Sequence, residues 1–475
     1  MGLLRDWTFV EEATRIPALS ELVREALIRA MFVRDDRALP AGIVGALSQS
    51  PSVTVKVKDD VEVRKLVRVL NGEESTMSLG LSAEDFHYFR KQVGIGRDRE
   101  IGLAAEPRAL LAYDWIVPEQ GGVLLDFGAY AAVEFAEGGH RALAQVGMTW
   151  KALYDEALAK GHFLPFVPAV PLDFALGDGL WGDAPFTSFA GDFGAYVLGL
   201  RTINAYGERA RVGFEDVSVE GSGYDLLHAI LPYATEFFMP VSVGVRLAAR
   251  PAARKTLSYT FDDPGKLSAA VDKLTRSGRT VAWAQVADAL GGSALRPGAA
   301  APFTLQVSVP ASDPAGLAAR EKGLDATLTG FAGKADLPDP YDVPADAYRK
   351  TAARVARGLF VGEVRLPARA LGDLQGKVQG IAGQAGVKAG LLASLRADGT
   401  ASAFPFFEAQ KDRVRVYELS KGVHRVAKTV PAAAFVSRLA HLWEDSADYR
   451  VRMDHLRRLK LEIDAAHVLE PLAHP

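Results

Sequence analysis

The residues that catalysis draws on most often are spread thinly through this 475-residue sequence. Nine histidines stand at His87, His140, His162, His228, His424, His441, His455, His467 and His474. No two have the one-turn spacing that presents a pair of imidazoles to a metal from one helix face. Four carboxylates, Asp173, Asp178, Asp183 and Asp192, gather in one Gly-rich stretch. Such a set suits a hard cation. Short acids in such stretches more often cap turns, and no metal site is expected. The glycine patterns are incomplete as well. Gly94-Ile95-Gly96 runs on to Arg97-Asp98-Arg99 without the third glycine of a dinucleotide-binding turn. Gly221-Ser222-Gly223 has Leu226 where that glycine belongs, and a plain turn explains it. Gly330 to Lys334 is followed by Ala335, not the Ser or Thr of a phosphate loop, and Gly-x-Ser-x-Gly is absent. There is no cysteine, which excludes thiol nucleophiles, disulfides and cysteine-ligated iron–sulfur clusters.

The elements that must position any site alternate between helix and strand. Apolar spacing predicts a helix over 7–32, and 53–58 alternates as a half-buried strand. Asp59 and Asp60 open a helix over 61–70. Residues 72–100 read as a polar, partly helical insertion. Strands are expected at 123–127 and 141–146, then a helix over 150–160 capped by Thr149 and stopped at Gly161. The Gly/Asp-rich stretch 177–194 is loop. A hairpin over 196–214, a helix over 224–230 and a strand over 241–247 complete this unit. Strands at 255–261, 280–287, 303–309 and 326–329 alternate with helices at 265–277 and 314–323, the pattern of a ferredoxin-like sheet. Strands at 362–366, 388–394 and 402–407 and a helix at 371–383 extend it. The tail, 433–469, reads as two helices. No internal repeat stands out.

Bulk properties narrow the function classes. The net charge is −3 and the pI about 6.3, which offers no basic face for nucleic acid. The most apolar window, 229–245, is interrupted by Pro232, Glu236 and Pro240, so no membrane span is expected. The N-terminus lacks the pattern of a secretory signal. A cytoplasmic location is expected, with membrane association only through a partner.

Several segments, in order, resemble the FAD-binding PCMH-type family of vanillyl-alcohol oxidase and the FAD-linked glycolate and D-lactate dehydrogenases. They are Val53-Thr-Val-Lys-Val-Lys58 with its acidic helix start, Gly121-Gly-Val-Leu-Leu-Asp126, and Val146-Gly-Met-Thr-Trp150 running to Gly161-His-Phe-Leu-Pro165. Tyr196-Val-Leu-Gly-Leu200, Gly223-Tyr-Asp-Leu-Leu227 and Leu459-Lys-Leu-Glu-Ile-Asp464 continue the series. The resemblance implies an α+β chain: a PCMH-type FAD-binding fold of two α+β subdomains, a ferredoxin-like cap domain and a C-terminal helical tail. The corresponding divisions are a helical segment 1–50, the FAD-binding-like domain 51–250, the cap 251–432 and the tail 433–475, which packs back on the FAD-binding-like domain.

The resemblance implies FAD as cofactor, and its loops point to Arg108, Gly177, Asp178, Thr187, Ser188, Gly191, Gly194 and Tyr224 as the residues that would hold it. The loops depart from the family pattern. The pyrophosphate loop, normally a run of glycines, is Gly102-Leu-Ala-Ala-Glu-Pro-Arg108 and onward to Trp115. It has one glycine, a proline without an N–H, and acids at Glu106 and Asp114. The second loop carries Gly177-Asp178 in place of Gly-Gly, and the third reads Pro232-Tyr-Ala-Thr-Glu-Phe-Phe238. The family's His-x-Gly-Asp-Gly motif becomes Ser394-Leu-Arg-Ala-Asp-Gly-Thr400, without histidine, so no base for a hydroxyl proton is identifiable. His162 and Tyr224 lie in scaffold segments. Trp115, Trp181, Tyr233, Phe237 and Phe238 are candidates to fill a flavin's volume, or ordinary core. Two functions follow: a non-catalytic or weakly flavin-binding subunit partnering an active FAD-linked oxidoreductase, or an FAD-dependent dehydrogenase of a 2-hydroxy acid such as glycolate or lactate. Either implies a protein partner, in a homo-oligomer or with a second flavoprotein or electron-transfer subunit.

Overall fold

The computed structural model describes residues 53–56, 59–71, 103–105, 123–168, 172, 175–177, 186–191, 193–213, 226–231, 237–291, 302–343, 358–360, 362–408, 413–436 and 447–464, apart from position 192. The expected helix at 7–32 and the insertion at 72–100 lie outside these residues.

The first unit is a small parallel sheet. β1 (Val53–Lys56) leads into α1 (Asp60–Asn71). Asp59 accepts a hydrogen bond from the Glu62 N–H at 2.9 Å and so caps the helix. β2 (Leu103–Ala105) and β3 (Val123–Asp126) complete the sheet in the order β1-β3-β2, all parallel.

The second unit is antiparallel. β4 (Val133–Phe135), β5 (Arg141–Gln145), α2 (Trp150–Ala159), β6 (His162–Phe163), β7 (Val167–Pro168) and β8 (Phe186–Thr187) precede the hairpin of β9 (Val197–Ile203) and β10 (Arg209–Gly213). Then come α3 (Leu226–Ile230), β11 (Met239–Arg246) and β12 (Ala248–Ala249). The five main strands lie in the order β10-β9-β11-β5-β4. Thr149 caps α2 through the Ala152 N–H, as its sequence predicts. One core runs through both units, joining Val63 and Val67 of α1, Ala142 and Ala144 of β5, and Trp150 and Leu153 of α2.

The cap is a nine-stranded sheet. β13 (Ala253–Phe261), α4 (Pro264–Thr275), β14 (Trp283–Asp288), β15 (Phe303–Ala311), α5 (Pro314–Leu328) and β16 (Gly333–Ala335) form a ferredoxin-like unit in the sheet order β16-β13-β15-β14. After β17 (Gly358–Phe360), the same succession returns. β18 (Glu363–Pro367), α6 (Leu371–Ala385), β19 (Ala389–Leu395), β20 (Thr400–Glu408), α7 (Arg413–Ala427) and β21 (Ala434–Val436) lie in the order β19-β20-β18-β21. The two units meet edge to edge through antiparallel pairing of β14 with β19. The cap is therefore a structural duplication, although no repeat stands out in the sequence.

Two expectations are corrected. Residues 326–328 are the last turn of α5, not a strand, because Leu324 and Leu328 continue its buried face at one-turn spacing. The stretch after 433 opens with β21, which pairs with β18 and so extends the cap sheet. α7 precedes it, where no helix was expected. The last element, α8 (Ala447–Ile463), packs Leu456, Leu459 and Ile463 on the first core. Beneath it, Lys460 and Asp464 form a buried ion pair at 2.7 Å. Among the described residues no helix is long and apolar enough to cross a membrane.

Candidate functional site

The cap sheet has two unlike faces. Its outer face, with Leu257, Val286, Leu305 and Ala393, is apolar and belongs to a core shared with α4, α6 and α7. Its inner face meets the first core through Trp283, Leu392, Phe404 and Phe406. A polar row crosses this inner face: Ser258, Gln306, Gln285, Ser394, Ser402 and Arg365 are successive partners across six strands. All but the arginine are buried. Beside the row, Arg365 lies 2.9 Å from Glu363, Arg396 lies 3.7 Å from the same carboxylate, and Arg396 donates to Ser402 at 2.5 Å. The Trp283 indole N–H and the hydroxyls of Thr304 and Ser308 are buried on this face without a hydrogen-bond partner in the protein. Trp283 and Ser308 stand directly opposite each other. Each orphaned group costs about 1–3 kcal/mol, so water or a polar ligand is the expected company of this face.

The second loop connects the two domains. Gly177 is buried and its N–H donates to the Val146 carbonyl at 2.8 Å. Thr187 belongs to β8, which pairs with β7. Ser188 is fully buried, hydrogen-bonds the Tyr196 hydroxyl at 2.5 Å and accepts from the Ala190 N–H. Burial pushes the Tyr196 phenol up, against the pull of Ser188. The Phe189 N–H donates to Ala282 and its carbonyl accepts from Ala397. Phe189 thus bridges β14 and β19 just past the end of their pairing, and its ring joins the outer cap core. Gly191 has φ +152° and the Gly194 carbonyl hydrogen-bonds His228 at 2.9 Å. Arg108, Asp178 and Tyr224 lie outside the described residues.

FAD needs free donors along its phosphates and space beside its ring. The N–H groups of Gly177, Phe189 and Ala190 and the Ser188 hydroxyl are already engaged within the protein. Phe237 and Phe238 are buried in the first core. The turn at Asp398 is structural: Gly399 is left-handed at φ +87°, and Asp398 accepts from the Thr400 N–H and hydroxyl. Burial raises the Asp398 carboxyl, but these Thr400 bonds outweigh it and the net shift is downward. His162 packs against His140 in edge-on geometry at the rim of the first domain. Asp288, whose carboxyl burial pushes up, is held by the Gly291 N–H and Gln375, both on the outer side of the cap. Among the described residues no group of three or more potential metal ligands exists.

Comparison with solved structures decides the architecture. 4-Ethylphenol oxidase from Gulosibacter chungangensis, in its isoeugenol complex, superposes with a TM-score of 0.65 at 12% identity, over 96% of this chain and 97% of that one. The chain has the PCMH-type FAD-binding fold. Substrate-bound p-cresol methylhydroxylase gives 0.65 at 13% identity, covering 90% and 91%. Alkyldihydroxyacetonephosphate synthase gives 0.63 at 14%, covering 90% and 78%. No protein-family model and no curated relative matches the sequence. The PCMH-type fold was legible in the order of short motifs. The polar row on the cap was not, because its members come from six strands scattered through the sequence.

A second feature lies where α1 approaches the antiparallel sheet. A cavity of about 570 Å³ opens there, lined by Asp60, Tyr130, Glu134, Gln145, Ser242 and three arginines, Arg201, Arg209 and Arg211. Arg209 holds the Asp60 carboxyl below its usual range through a 2.5 Å bond. Burial, then the Asp60 charge, pushes the Tyr130 phenol up, so Tyr130 stays neutral at physiological pH. No signal in the sequence marked these arginines, which come from two strands of one hairpin.

Proposed function

We propose that this chain is a PCMH-type subunit that binds FAD weakly or not at all and acts as a structural or regulatory partner of an active FAD-linked oxidoreductase. The observation that carries this reading is the engagement of the second loop with the protein itself, above all the Phe189 bridge into the cap sheet. Its donors serve Val146, Ala282 and Ser188 in place of a cofactor.

A second reading is an FAD-dependent dehydrogenase of a 2-hydroxy acid such as glycolate or lactate. The buried polar row and the orphaned groups of Trp283, Thr304 and Ser308 favour it, since they suit an oxygen-rich substrate. Against it, no described histidine stands on that face of the cap. Fold alone does not establish either function.

The visible absorption spectrum of the purified full chain, before and after adding FAD, separates the two. The expected result is a colourless protein that takes up FAD weakly or not at all and co-purifies with an intact flavoprotein subunit. A stoichiometric flavin spectrum, bleached by glycolate or lactate, would establish the dehydrogenase.

A further inference from the structure

The floor of the cavity beside α1 is a second polar row. Arg211, Arg201, Ser242 and Gln145 are successive partners across β10, β9, β11 and β5, so their side chains share one face of the sheet. The Tyr130 hydroxyl hydrogen-bonds Ser242 and Gln145, and Gln145 accepts from the Ala132 N–H at 2.7 Å. Where α1 meets β10, Asp60 is bonded to Arg209 at 2.5 Å. Leu143 and Val241 add apolar wall.

The arginines of this cavity are engaged within the protein. Arg209 pairs with Asp60, and Arg201 and Arg211 have interactions of their own. A charged ligand would have to compete with these contacts, whose charge-assisted bonds are the strong ones. A neutral ligand can add to them instead. A guanidinium has N–H groups to spare after one bond, and a carboxylate has lone pairs to spare. The Asp60–Arg209 pair thus presents an acceptor and a donor side by side. Two hydroxyls on neighbouring carbons match that arrangement: one donates to the carboxylate, the other accepts from the guanidinium, and no charge moves. The Gln145 amide and the Ser242 hydroxyl, both held by Tyr130, offer polar atoms of the same kind on the floor. Glu134 of β4 adds an acceptor.

We propose that this cavity binds a neutral sugar, with two adjacent hydroxyls bridging Asp60 and Arg209 and its other hydroxyls over Ser242 and Gln145. The C–H groups of a sugar ring suit the apolar wall at Leu143 and Val241. The volume of about 570 Å³ lies within the range of small-molecule sites, roughly 300–1,000 Å³. The floor is fixed by its own hydrogen bonds before any ligand arrives, which lowers the ordering cost of binding. None of the described residues that the resemblance assigns to FAD lines this cavity. The proposal is thus independent of whether flavin binds.

Ligand-observed saturation transfer on the full chain tests it, with D-glucose, D-mannose, D-ribose and maltose as probes and cyclohexanol as a control that has no diol. At least one of these sugars is expected to bind in the millimolar range or more tightly, at least about tenfold better than cyclohexanol. Its affinity should hold steady as salt is raised, as expected of an uncharged ligand. Arg209→Gln and Asp60→Asn are each expected to weaken that sugar about fivefold or more. The Arg209 side chain is 65% exposed, so circular dichroism should report an unchanged fold in that variant. No transfer to any of the sugars, binding no better than cyclohexanol, or an affinity unchanged in both variants would each overturn the proposal. So would glucose 6-phosphate binding at least about tenfold more tightly than glucose, since a charged ligand would then be preferred.

Discussion

Tyr154 of α2 lies face to face with Tyr341 of the cap, ring centroids 3.8 Å apart and planes 7° from parallel. Arg254 donates to the Tyr154 hydroxyl at 2.7 Å and pairs with Asp339 at 3.3 Å, while Tyr341 donates to the Phe166 carbonyl. The stack thus joins the two domains. Burial pushes the Tyr154 phenol up to about 12, with Arg254 pulling the other way. A raised folded value means that the folded state keeps a proton the unfolded chain releases near 10. The stabilisation is complete below pH 10 and is lost as the pH rises towards 12. Thermal denaturation across that range should show wild type losing stability relative to Tyr154→Phe, which has no proton to lose. Parallel curves for the two proteins would show that the phenol is not protected.

The β9–β10 hairpin turns at Gly207, with φ +71°. Its carbonyl accepts from Arg64 of α1 at 3.0 Å. A Cβ at this position would come within 2.5 Å of the Arg68 side chain and 2.7 Å of the Arg64 carbonyl. The glycine therefore serves both the turn and the seating of α1 on the antiparallel sheet. Gly207→Ala should destabilise by about 1–3 kcal/mol, read as a lower urea midpoint at unchanged slope. The hairpin itself was legible in the sequence, because alternating apolar residues flank Gly207-Glu208. The contact with α1, 143 residues away, was not. The end of α5 taught the reverse lesson. Thr327 and Thr329 favour strand locally, yet Leu324 and Leu328 are buried together and keep the chain helical.

At the scale of the molecule, Phe189 couples the domains by inserting one residue of the first domain between two strands of the cap. Its side chain is only 5% exposed. Phe189→Ala should cost about 3–5 kcal/mol through the cavity it leaves. It should also speed hydrogen exchange at the Ala397 amide, whose acceptor is the Phe189 carbonyl. Lost stability with unchanged exchange at Ala397 would mean that the ring fills space without holding the domains together.

The sequence by itself determined most of the succession of elements from β1 to β20, the absence of thiol chemistry and the departures in the three flavin loops. These are local properties: periodicity, capping acids and the presence or absence of glycine act within a few residues. The order of short motifs was enough to reach the PCMH-type fold. Tertiary structure alone decided the duplication in the cap, since two units can share a topology while their side chains diverge. It alone assembled the polar row from Ser258 to Arg365, the pair of Arg201 and Arg211, and the bridge at Phe189. Each joins residues that meet only through strand register, and register is set by which faces are buried against the rest of the molecule.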